Sequence, residues 1–415
     1  MNGKMKILTL TSSFPKDAED ISGRFVRDLA QELHKRGNDV LILAPHSPGL
    51  SLVETSGDLR VHRFRYWFPS KHEVLTNGAI LPKLSGNLLA TVQIPFLVAA
   101  SFISSLRLTK SMDTQVIHTH WLLPQGLVGA LVSKMSGKPH LATIHAGGLV
   151  ALKRMPFKKS IAKFIVKNSD AISAVSQYIK NNFLDILDPE TRSEALAKMN
   201  VVPMGVDPKR FENEDGSRKR ASLGLKSDDY VVLFVGRLSE KKGIEDLLVA
   251  FQSFSREEER ARLWIVGSGP LYESLKQRAS EGIDVRFFGR VPDKQLNELF
   301  LAADVVVVPS VTTSYGDVEG LPVVVMEAMT AGKPIIATDV GGISDAIEDE
   351  RTGLLIPERS PEIIENGLRR FREDREFRES VARNAAEKAR TQYSWSVISE
   401  KFDRIMKEIV QGQRI

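Results

Sequence analysis

Two patterns of apolar and polar residues alternate along the chain. Short runs rich in β-branched residues recur through the first half, at Lys6 to Thr11, Val40 to Ala44, Leu59 to Phe64, Val116 to Thr119, Leu141 to Ile144 and Ala171 to Ala174. Segments with helical periodicity separate most of these runs, beginning with Phe25 to Arg36. This alternation predicts a parallel β-sheet covered by helices.

The same alternation restarts in the second half of the chain. Strands are predicted at Tyr230 to Val235, Leu263 to Val266, Val285 to Phe288, Val305 to Val308, Pro334 to Ala337 and Leu354 to Ile356. Amphipathic helices are predicted between them, at Ile244 to Phe254, Leu271 to Ala279 and Gln295 to Ala303. The charged stretch from Met204 to Lys226, which contains several Gly and Pro residues, is predicted to be a linker.

These patterns predict an α/β protein of two facing, Rossmann-like, doubly wound domains. The first covers residues 1–205 and the second residues 206–393, while 394–415 form a helix that returns to the first domain. Ligands of such sheets bind beyond the carboxyl ends of the strands. We therefore expect one substrate to bind against each domain, with the chemistry in the cleft.

Length and composition agree with two folded domains and exclude several kinds of site. The chain has 415 residues, of which 42% are hydrophobic and 26% charged. The absence of cysteine excludes disulfides, cysteine-bound zinc and iron–sulfur clusters. The apolar run from Ile7 to Leu10 is too short for a secretory signal, so a cytoplasmic location is expected. The uncharged stretch from Leu88 to Leu106 contains Gln93, Pro95 and three serines, and we do not expect it to span a membrane.

Charge is distributed unevenly between the two halves. Residues 1–205 contain 25 Lys and Arg against 15 Asp and Glu, whereas the remainder contains 32 against 37. The basic half suggests an anionic partner, either a phosphorylated acceptor or a membrane surface. Nucleic acid is not expected, because no aromatic-basic recognition motif or zinc-finger spacing is present.

A loop with glycines and cations follows the first strand of the second domain. The segment from Gly236 to Gly243 includes Arg237, Lys241 and Lys242, and a helix begins after it. Glycines at a strand-to-helix turn let a ligand approach the backbone, and two cations there can hold a diphosphate. The alternative is a solvated basic turn with no ligand.

Two carboxylates mark the segment from Tyr315 to Met329. Pro322 is suited to open a helix, so Glu319 is expected in the preceding loop and Glu327 in the second helical turn. A carboxylate in such a place can accept hydrogen bonds from both hydroxyls of a ribose. The alternative is a surface helix with incidental acids, but a lone acid among apolar neighbours costs free energy unless it is satisfied, which favours a binding role.

Glu319 and Glu327 give the chain a resemblance to glycosyltransferase family 4, the retaining nucleotide-sugar glycosyltransferases of the GT-B fold. The resemblance covers nearly the whole chain and includes the Glu-x7-Glu signature of that family. It implies that Glu327 binds the donor ribose and that Glu319 contacts the transferred sugar. The resemblance also implies that the backbone of Gly320, Leu321 and Pro322 contacts the sugar and the phosphate. It implies that Arg237 and Lys242, beside Gly236, bind the diphosphate. The backbone of Phe288 to Val291, which includes Arg290 and Val291, is expected to contact the nucleobase.

The resemblance also implies two sites in the first domain. Ser22-Gly23 occupies the loop between the first strand and helix, where the family often has two adjacent glycines, and Gly23 is expected to contact phosphate. Thr143 to Gly148 is similar to the segment of the family that carries an active-site histidine, here His145. Its place at the carboxyl end of a strand favours a substrate role over a purely structural one.

No metal or other cofactor is expected. His118 and His120 are predicted to point to opposite faces of a strand and so not to share a metal ion. Asp-x-Asp, the usual means by which the other large glycosyltransferase fold holds a metal, does not occur in the sequence, and Arg237 and Lys242 are expected to replace that metal. Gly267-Ser268-Gly269-Pro270 lacks the third glycine of a dinucleotide-binding motif, so we do not assign it that role.

The function expected from these residues is retaining, metal-independent transfer of a hexose from a UDP- or GDP-sugar to an acceptor, with a lipid-linked acceptor as one option. The process would be synthesis of a cell-surface glycan or glycolipid. The alternatives are a sugar-nucleotide epimerase or phosphorylase with the same fold, and a non-catalytic scaffold that binds a nucleotide sugar.

A basic segment from Lys153 to Lys167 bears on the location of the acceptor. It carries six cations and no acid, and helical spacing places Phe157, Ile161, Phe164 and Ile165 on one face. Either that face packs on the sheet and the lysines are solvated, or the segment binds the anionic inner face of a membrane. In the second case, the aromatic stretch from Phe64 to Phe68 would supply an interfacial anchor.

Overall fold

A computed structural model describes residues 4–17, 20–76, 80, 83, 87–212, 214–279, 283–314 and 316–412. The chain forms two compact units. One consists of Met1–Met204 together with Trp395–Ile415, and the other of Gly205–Ser394. We call them the amino unit and the carboxy unit.

The amino unit is built on an eight-stranded sheet in the order β3-β4-β2-β1-β5-β6-β7-β8. All neighbouring strands are parallel except β3, which runs antiparallel to β4 at the edge. The strands are β1 Lys6–Leu10, β2 Asp39–Pro45, β3 Val53–Ser56, β4 Leu59–Phe64, β5 Val116–His120, β6 His140–Ile144, β7 Ala171–Ala174 and β8 Met199–Val201. The central strands are apolar on both faces because helices cover both sides of the sheet.

The helices of the amino unit are α1 Arg24–Lys35, α2 Leu88–Ser111, α3 Leu127–Ser136, α4 Ala146–Arg154, α5 Lys158–Lys167, α6 Gln177–Leu184, α7 Pro189–Leu196 and, from the end of the chain, α16 Trp395–Val410. Helix α1 buries Val26, Leu29 and Leu33, and it packs against α16. The amide Nδ2 of Asn38 donates to the Asp403 carboxylate at 2.8 Å. The last helix therefore belongs to the core of the first unit.

The carboxy unit contains a six-stranded parallel sheet in the order β11-β10-β9-β12-β13-β14. Its strands are β9 Tyr230–Val235, β10 Ala261–Val266, β11 Val285–Gly289, β12 Val305–Val308, β13 Ile335–Thr338 and β14 Leu354–Ile356. Its helices are α8 Gly216–Ser222, α9 Ile244–Glu257, α10 Tyr272–Ala279, α11 Asp293–Ala302, α12 Val323–Thr330, α13 Ile343–Ala346, α14 Pro361–Glu373 and α15 Arg375–Lys388. This is the doubly wound α/β fold that the alternating pattern predicted.

The prediction that Met204 to Lys226 forms a linker is wrong. From Gly205 onward the segment belongs to the carboxy unit, where it includes a helical turn at Pro208–Phe211 and helix α8. Helix α8 packs on α11, and Lys219 Nζ lies 3.0 Å from Glu298 Oε2. The many charges and glycines suggested a loop, but here they form ion pairs and a close helix contact.

The basic segment from Lys153 to Lys167 is not one helix. Helix α4 ends at Arg154 and α5 begins at Lys158, because Pro156 disfavours helical backbone in the residue before it. Phe157 lies in the turn and is 77% exposed instead of packing with Ile165. The predicted apolar face therefore loses its first residue.

Candidate active site

The loop after β9 brings Lys242 back across Gly236. Gly243 adopts a φ of 59° at the start of α9, where a Cβ would lie 1.7 Å from the carbonyl oxygen of Pro309. Only glycine fits this position, because both the backbone angle and the close contact exclude a side chain. Lys242 Cε passes 3.5 Å from the place where a Cβ would stand on Gly236. Arg237, between them in sequence, is exposed.

Glu319 lies at the centre of a cluster of charges beside this loop. Its carboxylate is 2.9 Å from Lys242 Nζ and 3.9 Å from Lys241 Nζ, and Lys241 also lies 3.3 Å from Asp317. Burial alone would raise the pKa of Glu319, but the charges of Lys242 and Lys241 outweigh burial and hold that pKa below its usual value. The site therefore holds a buried carboxylate in its ionised form next to two cations.

The backbone of Glu319 is held by a glycine pair after β13. The amide of Gly342 donates to the Glu319 carbonyl at 3.3 Å, and a Cβ on Gly341 would lie 2.0 Å from the same oxygen. Gly341 has a φ of 65°, so its conformation also favours glycine. This pair was not among the predicted site residues, although two adjacent glycines shortly after a buried strand were a usable signal.

Glu327 lies in the second turn of α12, which begins directly after Pro322. The preceding residues, Gly320 and Leu321, form the turn into this helix. Arg210 contacts the Glu327 carboxylate through Nη1 and the side chain of Asn297 through Nε, and Asn297 in turn donates to the Arg210 carbonyl at 2.8 Å. The prediction treated Glu327 as a lone acid, which is wrong, because Arg210 neutralises it. No local pattern in the sequence signals this pair.

The residues predicted to contact the nucleobase lie at the end of β11. Arg290 is exposed and donates from Nε to Ser268 Oγ at 2.9 Å, while Val291 packs against the core of the carboxy unit. Ser268 belongs to the segment Gly267 to Pro270, and its carbonyl accepts from the Leu238 amide at 3.1 Å. A Cβ on Gly267 would lie 1.9 Å from the Gly236 carbonyl oxygen. The glycines of this segment therefore allow its backbone to pack closely against the loop that follows β9. Tyr315, the first residue of the segment that carries Glu319 and Glu327, lies outside the described residues.

In the amino unit, Gly23 allows the chain to turn into α1. It has a φ of 70°, and a Cβ there would lie 2.1 Å from the carbonyl oxygen of Ser13. No side chain caps this helix start, and the amides of Arg24 and Val26 donate to the carbonyls of Ile21 and Gly23. Phe25, in the first turn, places its ring 4.9 Å from that of His145, measured between centroids. The fold therefore brings the two predicted sites of this unit together.

His145 begins α4 at the carboxyl end of β6 and belongs to a cluster of buried imidazoles. Its Nε2 lies 3.0 Å from His120 Nδ1, and its ring packs 5.0 Å from that of Trp121. Burial lowers the pKa of His145 to about 3 and keeps that of His120 well below 6.5. Both rings are neutral near pH 7, so the N–H of one ring donates a hydrogen bond to the unprotonated nitrogen of the other.

The prediction that His118 and His120 point to opposite faces of their strand is wrong. Residues two apart on a strand share a face, and these two rings are 4.3 Å apart between centroids. His118 Nε2 instead contacts Thr143 Oγ1 at 2.8 Å. Within the described residues, no group of three or more His, Cys, Asp or Glu side chains is arranged to hold a metal ion.

Comparison with known proteins assigns a family to both parts of the chain. The family described as Glycosyltransferase Family 4 matches residues 22–210, and the one described as Glycosyl transferases group 1 matches residues 215–388. An uncharacterized glycosyltransferase of Methanocaldococcus jannaschii is 32% identical over 317 residues, or 72% of this chain and 75% of that protein.

Two further proteins extend the comparison. The GDP-mannose-dependent alpha-(1-6)-phosphatidylinositol monomannoside mannosyltransferase of Mycobacterium tuberculosis is 29% identical over 307 residues, covering 71% of this chain and 77% of that protein. Sucrose-phosphate synthase from Thermosynechococcus elongatus superposes with a TM-score of 0.78 at 25% identity, over 98% of this chain and 100% of that one. Both similarities extend across the two units.

Proposed function

The chain belongs to the family 4, group 1 glycosyltransferases of the GT-B fold, and from that premise we propose that it transfers a hexose from a UDP- or GDP-sugar with retention of configuration. The observation that carries this proposal is the pairing of buried, ionised Glu319 with Lys242 at 2.9 Å. In the proposal, the Glu319 carboxylate contacts the sugar and the adjacent Lys242 contacts the diphosphate.

The proposed step breaks the bond between C1 of the sugar and the diphosphate oxygen. The acceptor oxygen bonds to C1 on the same face, and the acceptor proton passes to the departing phosphate oxygen. Negative charge grows on the diphosphate as the bond breaks, so Lys242 and Arg237 lower the barrier by stabilising that charge. Cations already fixed in the protein fill the role that a metal ion has elsewhere.

The remaining contacts define the donor and the acceptor. Glu327 accepts hydrogen bonds from the donor ribose, with Arg210 orienting its carboxylate, and the backbone of Arg290 and Val291 meets the base. His145 contacts the sugar or the acceptor hydroxyl as a neutral imidazole. The dependence of the mycobacterial relative on GDP-mannose supports a nucleotide-sugar donor.

We propose a lipid-linked or otherwise anionic acceptor, with contact to the cytoplasmic face of a membrane through exposed lysines of α5. Two cations of the basic segment have local partners, since Lys163 lies 3.7 Å from Asp188 and Lys153 bonds to Asn182. The exposed lysines Lys158, Lys159 and Lys167 lie in the same short helix. The name of the same relative, a phosphatidylinositol monomannoside mannosyltransferase, supports a lipid acceptor.

Mass spectrometry of donor turnover tests the proposal. The purified chain is incubated with a panel of UDP- and GDP-hexoses, with and without acceptor mixtures, and the Glu319→Gln variant serves as the inactive control. We expect release of UDP or GDP from one donor, slowly without acceptor and faster with it. An epimerase would isomerise the donor without releasing nucleotide, a phosphorylase would require phosphate, and a scaffold would bind the donor unchanged.

A further inference from the structure

Helix α2 buries several polar residues together with Ala90 and Leu97 against its own unit, and it leaves a row of large apolar residues exposed. Among the described residues it is the one helix long and apolar enough to cross a membrane, with a mean hydropathy of 1.8 over its most apolar 18 residues. Only 28% of that window is buried. A helix in the core of a globular protein would be mostly buried, so this one requires another explanation.

The polar side chains on the buried side of α2 already have hydrogen-bond partners. Gln93 donates to the His72 carbonyl at 2.7 Å and accepts from the Val74 amide at 3.2 Å. Ser101 donates to Gln125 at 2.8 Å, and the hydroxyls of Ser105 and Thr109 donate to carbonyls one turn earlier. These contacts fix the orientation of the helix on the unit, so its outward side is defined.

The outward side is an apolar stripe. Four-residue and seven-residue steps place its members on one helical face, and their exposed fractions are 78% for Leu88, 45% for Val92, 52% for Phe96 and 47% for Ile103. Phe68, which is 88% exposed, extends the stripe, because its neighbour Trp67 packs edge-on against Phe96 at 5.1 Å. We call these five residues the apolar stripe. Scattered exposed apolar residues are ordinary, but a continuous row of this kind marks an interaction site.

The charges around the stripe identify its partner. No Asp or Glu occurs from residue 74 to residue 112, and the nearest acid before that range, Glu73, is buried against His46. Exposed cations flank both ends, with Arg65 and Lys71 near Phe68, and Arg107 and Lys110 at the last turns of α2. The first acid after that range, Asp113, is exposed beyond the last turn of α2, but it lies 3.6 Å from Lys6 and 3.8 Å from Lys138, so it has cationic partners. An apolar face with aromatic residues, with more cations than acids at its border and with no acid of its own, matches the interface of an anionic bilayer.

We propose that α2 lies in the plane of an anionic membrane, with the apolar stripe inserted between the headgroups and the acyl chains. The helix does not cross the bilayer, because its polar side is packed against the sheet and α3. Helix α3 also packs against α5, so the basic helix and the stripe belong to one layer of helices. This inference deepens the proposed membrane contact and rests on it for the choice of partner, but it assigns the insertion to α2 instead of α5.

Vesicle flotation of the full chain tests the proposal. The Val92→Ser, Phe96→Ser and Ile103→Ser triple variant is compared with a matched control, Leu52→Ser, Leu196→Ser and Val249→Ser, whose three positions are similarly exposed and do not belong to the stripe. On vesicles with equal phosphatidylglycerol and phosphatidylcholine at physiological salt, we expect the stripe variant to lose at least tenfold in partitioning and the control to match wild type. Equal binding by all three would overturn the proposal.

Two further measurements separate insertion from its alternatives. Because the chain has no cysteine, a polarity-sensitive dye on Ile103→Cys reports burial in lipid, and the same dye on Leu196→Cys is the control. We expect a blue shift on anionic vesicles at position 103 alone, and no shift there contradicts insertion even if a Ser variant folds poorly. A dimer in lipid-free solution that the stripe variant dissociates would show that a second copy covers the face, and the proposal would fail.

The test also distinguishes this inference from the proposed function. Lys158→Glu, Lys159→Glu and Lys167→Glu together change only exposed lysines of α5, and nucleotide release with a soluble acceptor is measured for every variant. Flotation lost with the α5 variant but kept with the stripe variant would refute insertion by α2 while supporting the contact through α5. Nucleotide release should be unchanged in the stripe variant, because α2 holds none of the donor residues.

Discussion

The candidate sites of the two units differ in whether their polar side chains are charged or neutral. In the carboxy unit, each carboxylate has a cation beside it, Lys242 for Glu319 and Arg210 for Glu327. In the amino unit, the polar groups around His145 are imidazoles that burial keeps neutral. All eight histidines of the chain occur in residues 1–205, and none occurs after them.

The contrast shows that net charge does not locate an anion site. The carboxy half contains more acids than bases, yet its loops hold the cations that suit a diphosphate. Fixed charges suit a group whose charge grows during the reaction, whereas neutral imidazoles suit an uncharged hydroxyl. The basic surface of the amino half is a separate feature, suited to an anionic surface.

The largest expected effect comes from removing the cations of the carboxy unit. We expect Lys242→Ala and Arg237→Ala each to lower turnover by roughly a hundredfold or more, the usual scale for a group that stabilises transition-state charge. Steady-state kinetics measure this, with Lys241→Ala as the neighbouring control and a smaller loss expected there. Near-normal turnover in both variants would refute the assignment of charge stabilisation to this loop.

Lowering the pH below 6.5 should destabilise the amino unit more than the carboxy unit. The folded pKa is about 3 for His118 and His145 and about 4 for His140, against 6.5 for an ordinary histidine. Below pH 6.5 the unfolded amino unit therefore binds more protons than the folded one, and its free energy of unfolding falls by at most about 1.4 kcal/mol per pH unit for each histidine. The pKa of Glu319 lies below 4.5, so its stabilising charge is kept until the pH falls below that range.

Hydrogen exchange at pH 7 and pH 5 measures this difference. We expect protection to fall in the amino unit and to persist in the carboxy unit. His140→Gln should flatten the pH dependence, whereas His72→Gln, at an exposed position, should leave it unchanged. Equal loss of protection in both units would remove the contrast between them.

A smaller effect is expected at the ribose contact. Glu327→Ala should weaken donor binding about tenfold with little change in turnover, because a ribose contact is equally present in the ground and transition states. Calorimetry with the nucleoside diphosphate, together with kcat and KM, measures the two separately. Arg210→Lys should reproduce part of the loss if it orients the carboxylate. A large fall in turnover at unchanged KM would count against the assignment.

The smallest expected effect is that of a chelator. If the cations of the carboxy unit replace a metal, excess chelator should leave turnover within the error of the assay. Turnover is compared before and after dialysis against chelator, and again after adding magnesium or manganese. Activity abolished by chelator and restored by either ion would show that the fixed cations are insufficient.

Much of the fold was predictable from local patterns. The strands at Leu59–Phe64, Ala171–Ala174 and Tyr230–Val235 have the predicted bounds. The last two are buried, mostly apolar runs, whereas Leu59–Phe64 alternates apolar and polar residues. Strands β3 and β8 were missed, since they are only 4 and 3 residues long and lie at the two edges of the sheet. Edge strands of this kind have no strong pattern to detect.

The sequence by itself determined the two α/β units, the family and the loops in which Gly236, Glu319 and His145 lie, because periodicity, glycine positions and motif spacing are local properties. Only the tertiary structure decided which groups become partners. Arg210 and Glu327 are 117 positions apart in the chain, and His120 and His145 are 25 apart. It also decided that the polar side of α2 faces inward, because burial depends on what the rest of the chain places against a helix, and the composition of the helix alone does not contain that information.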